Sequence, residues 1–311
     1  MREPIYIPEE VKESIAAHVQ ISVERAREGF LSAAEDEDAL TGHLGGVLRT
    51  GLRTVRVAND EIRGEWKWSI NYVKFRGRGK NATEKILGAD GIFFLTVDRG
   101  YREETKALLF QAKKDWDEDK LLLQQSVRLS TWREAAIVVN YTAERYEAFN
   151  LDDVIRAHGK RSPGTVARDM AETLGRDFPD CLVGDTSLFY DAGRRRLIWR
   201  TLSGEIVATD FTLGHKISLK IQAPKRGTRE KVDRIVPQEE VHHHRLRATE
   251  EEILSLSTVA APGDLRAKYN KLALAYHPDK FSELDELDRA ILTRRMQELN
   301  AARDAFVRRK P

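Results

Sequence analysis

The sequence predicts an α/β fold in which helices flank a mixed sheet, followed by a small all-α helical hairpin at the C-terminus. Short apolar runs in the middle of the chain, such as residues 92–97, are typical of strands that are buried on both faces. Apolar residues at helical spacing dominate both ends of the chain. A polar stretch without apolar periodicity separates the last strand-like segment from the C-terminal helices.

This pattern predicts three segments: a large domain over residues 1–222, a linker over 223–248 and a helical domain over 249–311. The length of 311 residues favours one large and one small domain over a single small core. The net charge is only +2 although 33% of the residues are charged, so a basic surface has to be local.

The composition also bears on the compartment. The single cysteine, Cys181, excludes a disulfide within the chain and a metal site built from cysteines, and it fits a reducing compartment. The N-terminus lacks the apolar core of a signal peptide, and no window approaches the roughly 18 apolar residues of a membrane span. We therefore expect a cytoplasmic protein without a membrane partner.

The N-terminal region is predicted to contain two amphipathic helices and then strands. The first helix follows Pro8, which suits the first helical position, and ends near Ala34. The second begins at the acidic run 35–38, where negative charge suits the helix dipole, and ends near Gly51. Residues 54–75 alternate polar and apolar side chains and are predicted to form strands.

The stretch 88–114 is predicted to form the central hairpin of the sheet, with its turn near Arg99. Asp90 opens the first apolar run, and Gln111 and Lys113 close the second. In an antiparallel pair these positions lie at the same end of the sheet. Gln111 and Lys113, two residues apart on a strand, also share a face. The sequence thus predicts one site with a carboxylate, an amide and an ammonium.

The rest of the large domain adds a helix after Lys114 and a buried strand over 133–142, which implies at least one crossover. Residues 147–180 are predicted to be mostly helical. Short strands are predicted about Gly193, and a last strand ends near Gln222.

The polar end of the hairpin offers a donor set for Mg²⁺. This cation prefers oxygen ligands and keeps several waters, so the Asp90 carboxylate, the Gln111 amide oxygen and the Ala112 carbonyl are enough to hold it. Cutting a phosphodiester needs such a cation together with a positive group, which Lys113 supplies. The alternative is that Asp90 and Lys113 form an ordinary ion pair at the rim of the sheet.

An acidic residue that opens one strand, followed by Gln-x-Lys at the end of the next, resembles the PD-(D/E)XK restriction-endonuclease-like superfamily. The segments GADGIFFL and LLFQAKK carry the resemblance, together with the Gln-rich segment LLLQQSVRL and the strand AAIVVNY, which ends in tyrosine. The resemblance implies a restriction-endonuclease-like fold and cleavage of DNA that depends on Mg²⁺ or Mn²⁺. It implies catalytic roles for Asp90, Gln111 and Lys113.

The superfamily usually adds a glutamate from the helix that precedes the sheet, and EDALTGHLGGVL resembles that helix. Glu37 is our choice for this catalytic and metal-binding residue, with Glu35 and Glu84 as alternatives. The amide of Gln111 stands where a carboxylate is common, and such variants occur in both active and inactive members. Cutting both DNA strands needs two active sites, which a homodimer or a larger complex would provide.

A basic loop runs into the central hairpin and is predicted to bind the DNA backbone. Its candidate nucleic-acid-binding residues are Lys74, Arg76, Arg78 and Lys80. Trp66 and Trp68 are near in sequence and offer rings for base stacking. Alternating aromatic residues in a strand are more often core residues, so we expect both tryptophans in the core.

The C-terminal helices are predicted to form an antiparallel hairpin about the sequence HPDK. The segments KYNKLALAYHPDKF and RRMQELNAARDAF resemble the J-domain of DnaJ-type co-chaperones. The resemblance implies that His277, Pro278 and Asp279 engage a DnaK-type chaperone. Lys271 and Lys280 would add electrostatic steering toward an acidic partner. The glycine- and phenylalanine-rich linker and the cysteine repeats of general DnaJ proteins do not follow.

Three functions are compatible with the sequence. The first is a Mg²⁺-dependent DNA endonuclease whose J-domain contacts a DnaK-type chaperone, with a bacterial defence system as a plausible setting. The second is a specialised co-chaperone whose inactive nuclease-like domain binds nucleic acid or a protein client. The third is a binding component of a larger complex.

Overall fold

The computed structural model describes residues 5–30, 36–58, 60, 62–75, 88–191, 193–194, 196–200, 206–210, 213–224 and 262–309. The chain divides into two compact units. One unit comprises Pro4–Leu197 and Thr209–Pro224, and the other comprises Met1–Glu3, Ile198–Ala208 and Lys225–Pro311. The predicted linker over 223–248 lies outside the described residues from position 225 onward.

The helices and strands follow one another in a mixed order. The helices are α1 (Glu9–Glu28), α2 (Glu37–Leu48), α3 (Lys120–Leu129), α4 (Leu151–Arg156), α5 (Met170–Glu172), α6 (Pro262–Tyr276) and α7 (Glu286–Arg309). The strands are β1 (Thr50–Val57), β2 (Gly64–Lys74), β3 (Gly91–Asp98), β4 (Glu103–Lys114), β5 (Ala136–Tyr141), β6 (Tyr146–Asn150), β7 (Arg168–Asp169), β8 (Leu188–Asp191), β9 (Arg196–Arg200), β10 (Ile206–Asp210) and β11 (His215–Gln222).

Eight of the described strands form a mixed sheet in the order β1-β2-β11-β3-β4-β5-β6-β7, and β10-β9-β8 form a smaller sheet. The predicted hairpin is present, because β3 and β4 pair antiparallel from Gly91 opposite Phe110 to Asp98 opposite Glu103. The predicted crossover is also present, because β4 and β5 are parallel neighbours with α3 between them in the chain. The large mixed sheet flanked by helices is therefore confirmed.

Several element predictions were wrong in detail. Gly51 lies inside β1, since α2 already ends at Leu48 and the chain turns directly into the sheet edge. The segment 147–180 is not mostly helical, because β6 and β7 occupy part of it and β6 is buried from Tyr146 to Phe149. A short buried run of this kind has no period that separates a strand from a helix.

The core of the large unit lies between the sheet and the helices α1 and α2. Trp66 and Trp68 on β2 are fully buried there, which confirms their assignment to the core. Their indole N–H groups donate to the Ile62 carbonyl at 3.0 Å and to the Ser14 hydroxyl at 3.1 Å. Both rings are therefore unable to stack on bases in this conformation.

In the other unit, α6 and α7 form an antiparallel hairpin. The Tyr269 hydroxyl donates to Asn300 Oδ1 at 2.5 Å, and the Arg303 guanidinium lies 4.6 Å from the Tyr269 ring centre. Nearer the connecting loop, the Arg295 guanidinium lies 5.4 Å from the ring centre of Tyr276. The helix predicted to begin at residue 249 lies outside the described residues. Within the described ranges, no helix combines the length and the apolar composition that crossing a bilayer requires.

The buried side of β4 gives a first test of the fold. Leu108 on β4 is 0% exposed, whereas Leu121 at the start of α3 is 65% exposed. We expect Leu108→Ala to lower the free energy of unfolding by about 2–5 kcal/mol, because it leaves a cavity. The matched control Leu121→Ala should change it by no more than about 0.5 kcal/mol. Denaturant unfolding measures both, and equal losses would contradict this packing.

Candidate metal site at the fork of β3 and β4

The polar end of the central hairpin is a fork where two strands part. The Asp90 N–H donates to the Phe110 carbonyl at 2.9 Å, and this is the last backbone hydrogen bond between β3 and β4 at this end of the hairpin. Strand β4 continues beside β5, and the Ala112 N–H then donates to Asp90 Oδ2 at 2.6 Å. The carboxylate of Asp90 thus replaces a missing strand neighbour. We call Asp90, Gln111 and Ala112 the fork residues.

The Gln111 amide completes the fork. It is 3% exposed, and its Nε2 donates to Asp90 Oδ2 at 2.5 Å and to the Ala112 carbonyl at 3.3 Å. The amide nitrogen therefore contacts two oxygens and occupies a position that would suit a cation.

The other end of this amide shows what the fork lacks. Gln111 Oε1 is buried and has no hydrogen-bond partner among the described residues. An unsatisfied buried acceptor costs about 1–3 kcal/mol. The opposite amide orientation would place this oxygen beside the Asp90 carboxylate and the Ala112 carbonyl, an arrangement that needs a cation to offset the repulsion. Carboxylate, amide and carbonyl oxygens suit Mg²⁺ or Mn²⁺, so the residues present fit the predicted metal.

Helix α3 presses closely on the chain just before the fork. Gly88 has φ +70°, and a Cβ on it would lie 2.5 Å from the Gln125 carbonyl oxygen, so both the backbone angle and the space require glycine. The Gln125 Oε1 atom is also buried without a hydrogen-bond partner within the described part of the chain. The Gln-rich helix therefore contacts the segment that positions Asp90.

Lys113 lies on β4 two residues beyond Gln111 and is held by an ion pair. Its Nζ lies 2.8 Å from Asp119 Oδ2, and both side chains are largely buried. Asp119 also caps α3 by accepting from the Leu121 and Leu122 N–H groups. Burial raises the pKa of Asp119, but Lys113 and the two N–H groups outweigh this and hold the pKa below its usual value. The alternative of an ion pair between Asp90 and Lys113 is not the arrangement seen, because Lys113 pairs with Asp119.

Helix α2 borders the fork through Thr41 and Tyr141. The Thr41 hydroxyl donates to the Glu37 carbonyl at 2.8 Å and lies 3.1 Å from the Tyr141 hydroxyl. Burial raises the pKa of Tyr141, and the nearby charge of Asp90 adds to this shift. Glu37 therefore lies one turn before the residue that joins α2 to Tyr141. The alternatives Glu35 and Glu84 lie outside the described residues.

The fork is not a cluster of acidic side chains. Within the described ranges, no group of three or more His, Cys, Asp and Glu side chains could hold a metal ion. The fork instead combines one carboxylate with an amide and a backbone carbonyl. A donor set with so little negative charge is consistent with a cation that arrives partly hydrated and is shared with an anionic substrate.

A buried histidine beside the fork was not predicted. His215 Nε2 donates to Asp38 Oδ1 at 2.8 Å, so its Nδ1 accepts from the Tyr72 hydroxyl at 2.9 Å. The backbone N–H groups of Gly214 and His215 both donate to the Asp90 carbonyl. No sequence motif joins Asp38 to His215, because they lie 177 residues apart.

The surroundings tune these side chains. Burial lowers the pKa of His215 despite the partly compensating charge of Asp38, so the neutral imidazole is favoured. Burial, and secondarily Asp38, raises the pKa of Tyr72 to about 12. Tyr72 fits against α2 because Gly45 leaves room for its ring, which a Cβ would approach to 2.3 Å. The network thereby locks β11 and β2 onto α2 beside Asp90.

The predicted nucleic-acid-binding residues are described only in part. Lys74 ends β2, and its Nζ lies 2.5 Å from Asp38 Oδ2 with about half of the side chain exposed. Arg76, Arg78 and Lys80 lie outside the described residues.

The predicted chaperone-binding residues lie at the tip of the helical hairpin. Pro278–Lys280 forms a single 3₁₀ turn that follows His277. The side chains of His277 and Asp279 are exposed, and His277 Nδ1 lies 3.7 Å from Asp279 Oδ2. Lys271 on α6 and Lys280 in the turn are exposed as well. The structure thus brings the tripeptide and Lys280 together on one exposed turn.

Comparison of the chain with protein-family models, with curated proteins and with solved structures gives no match. What the fork can do is therefore inferred from the geometry and chemistry of its own residues.

The fork makes a prediction about metal binding. Mg²⁺ or Mn²⁺ should raise the melting temperature of the wild type, because a ligand that binds the folded state stabilises it. Asp90→Asn should remove this shift, whereas the exposed control Asp117→Asn should keep it.

Gln111→Glu should enlarge the metal shift. Without metal, the introduced glutamate lies beside the Asp90 carboxylate, and their repulsion raises the pKa of one of the two groups. Its stability is then retained below that pKa and lost as the pH rises through it. Thermal unfolding at about pH 5 and pH 8, with and without metal, tests this. If metal left the melting temperature of the wild type and of every variant unchanged, the metal site would be ruled out.

Proposed function

We propose that the unit with the fork is a Mg²⁺- or Mn²⁺-dependent DNA endonuclease and that the C-terminal hairpin recruits a DnaK-type chaperone. One observation carries the first part: the buried Gln111 Oε1, without a hydrogen-bond partner among the described residues, belongs to the amide that bonds the Asp90 carboxylate and the Ala112 carbonyl. This arrangement supports a cation at the fork. The sequence of the β3–β4 hairpin resembles that of PD-(D/E)XK nucleases, which supports phosphodiester hydrolysis as the reaction at the fork.

Each residue at the fork has a role in this proposal. Asp90, Gln111 and the Ala112 carbonyl would hold the cation, and Glu37 is the candidate for a further ligand. When bound, such a cation polarises a phosphate and lowers the pKa of water. Lys113, fixed by Asp119, places an ammonium near the negative charge that grows on the phosphate during cleavage.

The substrate must also be held in place. Lys74, with its half-exposed ammonium at the end of β2, begins the predicted basic loop that continues with Arg76, Arg78 and Lys80. These cations would bind backbone phosphates without reading the base sequence. Binding through them should therefore weaken as the salt concentration rises.

The endonuclease proposal is tested with supercoiled plasmid and Mg²⁺. Asp90→Asn and Lys113→Ala should each lower the cleavage rate by about 10²-fold or more, because each removes a charge from the reaction centre. Asp117→Asn and Lys220→Ala change exposed residues of the same types and should cleave at the wild-type rate. Equal cleavage by all five proteins would mean that a contaminant cuts the plasmid and would sink the proposal.

A second function is favoured by a different property of the same amide. The Gln111 amide N–H satisfies Asp90 without a cation, so the fork is compatible with a domain that binds but does not cut. The protein would then be a co-chaperone, whose large unit selects nucleic acid or a protein client. The exposed turn His277–Lys280 supports chaperone contact in both cases.

Chaperone recruitment is tested with a purified DnaK-type ATPase. The wild-type protein should speed up ATP hydrolysis, and His277→Gln should return it to the basal rate, because the exposed imidazole is lost from the turn. The matched control Arg289→Gln changes another exposed residue of the hairpin and should stimulate like the wild type. Stimulation by His277→Gln equal to that of the wild type would remove the chaperone role of the tripeptide.

A further inference from the structure

A row of polar side chains crosses the sheet beside the fork. The strand register pairs Lys113 on β4 with Asn140 on β5, and Asn140 with Glu147 on β6. Paired residues of neighbouring strands lie on the same face, and the alternation along β4 places Gln111 on that face too. The row therefore leads from the fork toward the edge of the sheet.

Glu147, at the far end of this row, is 1% exposed and fixed by several donors. Its Oε1 lies 2.7 Å from Arg145 Nε in an ion pair and accepts from Arg161 Nη2 at 2.8 Å. Its Oε2 accepts from Asn140 Nδ2 at 3.2 Å, and Asn140 Oδ1 accepts from the Trp116 N–H at 3.0 Å. One buried carboxylate thus orients two guanidinium groups.

Both arginines are positioned by more than Glu147. The Arg161 N–H donates to the Asp117 carbonyl at 2.5 Å, and its guanidinium lies 5.9 Å from the Phe149 ring centre. Arg145 ends the turn between β5 and β6, where its N–H donates to the Thr142 hydroxyl at 3.1 Å. The Arg161 guanidinium is therefore held by Glu147 and by its contact with Phe149, and the Arg145 guanidinium is held by Glu147.

The charge of this group is not balanced within it. Two guanidinium groups share one carboxylate, so the group keeps a net positive charge. The Arg145 side chain is 61% exposed and that of Arg161 is 32% exposed. One arginine would neutralise the buried Glu147 carboxylate, so the second positive charge exceeds what this carboxylate needs. Planar guanidinium groups with several N–H donors suit phosphate oxygens.

We propose that Arg145 and Arg161 bind the phosphate backbone of DNA beside the fork. Neighbouring strands lie about 4.8 Å apart, so the row from β4 to β6 spans about 10 Å. The row is longer than the rise of about 3.4 Å per phosphate along the DNA axis, so it extends past the reacting phosphate toward its neighbours. The pair would bind the strand next to the reacting phosphate. This assignment rests on the proposed function in taking the fork as the reaction centre.

Binding to a short DNA duplex in EDTA tests the assignment separately from cleavage. Arg145→Ala and Arg161→Ala should each weaken binding about tenfold at moderate salt. Each should also reduce the slope of log affinity against log salt by about 1, as expected for the loss of one phosphate contact. The double variant is avoided, because it leaves the buried Glu147 carboxylate without either arginine.

Arg102→Ala is the matched control. Arg102 pairs with Glu104 at 2.8 Å, is about half exposed and lies just before β4 at the end opposite to the fork. It should leave affinity and salt slope unchanged. Arg161→Lys, which keeps the charge and the fold, should keep most of the salt slope.

The outcomes separate the two proposals. Wild-type affinity and slope in Arg145→Ala and Arg161→Ala would overturn the assignment of the pair, and so would equal weakening by Arg102→Ala. If the Arg145→Ala and Arg161→Ala variants bind duplex more weakly but the wild type does not cleave DNA, the DNA-binding role of the pair is supported and the nuclease proposal is overturned. Failure of the wild type to bind duplex at low salt would overturn both.

Discussion

The hydrogen bond from the Ala112 N–H to the Asp90 carboxylate is the contact on which the fork depends. Strand β3 begins at Gly91, whereas its neighbour β4 runs on to Lys114. A backbone N–H is thereby left inside the protein without a strand partner, which is costly unless it is satisfied. Asp90 supplies the acceptor, and the N–H groups of Gly214 and His215 hold the Asp90 carbonyl from the other side. Asp90 is thus held on both sides, through its carboxylate by β4 and through its backbone carbonyl by Gly214 and His215.

Gln111 gives this fork a property that a second carboxylate would not have. The amide has a donor end and an acceptor end, so one side chain can satisfy Asp90 in the absence of a cation and offer an oxygen in its presence. Two carboxylates would repel each other whenever the cation is missing. In the proposed enzyme, metal binding would then require the amide to turn over, and the gain in metal contacts would be offset by the loss of the Gln111–Asp90 bond. In the proposed enzyme, the fork would be stable without the cation at the expense of metal affinity.

The sequence was most informative where structure follows from local alternation. The central hairpin brings Asp90 and Gln111 together because β-strand periodicity and the turn near Arg99 fix both positions. The same periodicity said nothing about which strand lies next to β3, and the insertion of β11 between β2 and β3 was not predicted. The Asp38–His215 contact depends on that insertion. Asp119 was missed as the partner of Lys113, because the start of α3 gives no sequence signal for a side chain that returns to β4.

The position of β11 has a consequence for the order of events during protein synthesis. This strand lies inside the sheet between β2 and β3, yet it is the last strand of the large unit to be made. Until residue 222 has left the ribosome, one edge of β3 has no neighbour and the Asp90 carbonyl lacks the bonds from Gly214 and His215. Pairing between such distant segments forms late, because it must first overcome the entropy of closing a long loop. The nascent chain therefore carries an exposed apolar strand, while the fork itself is completed only at the end of translation of this unit.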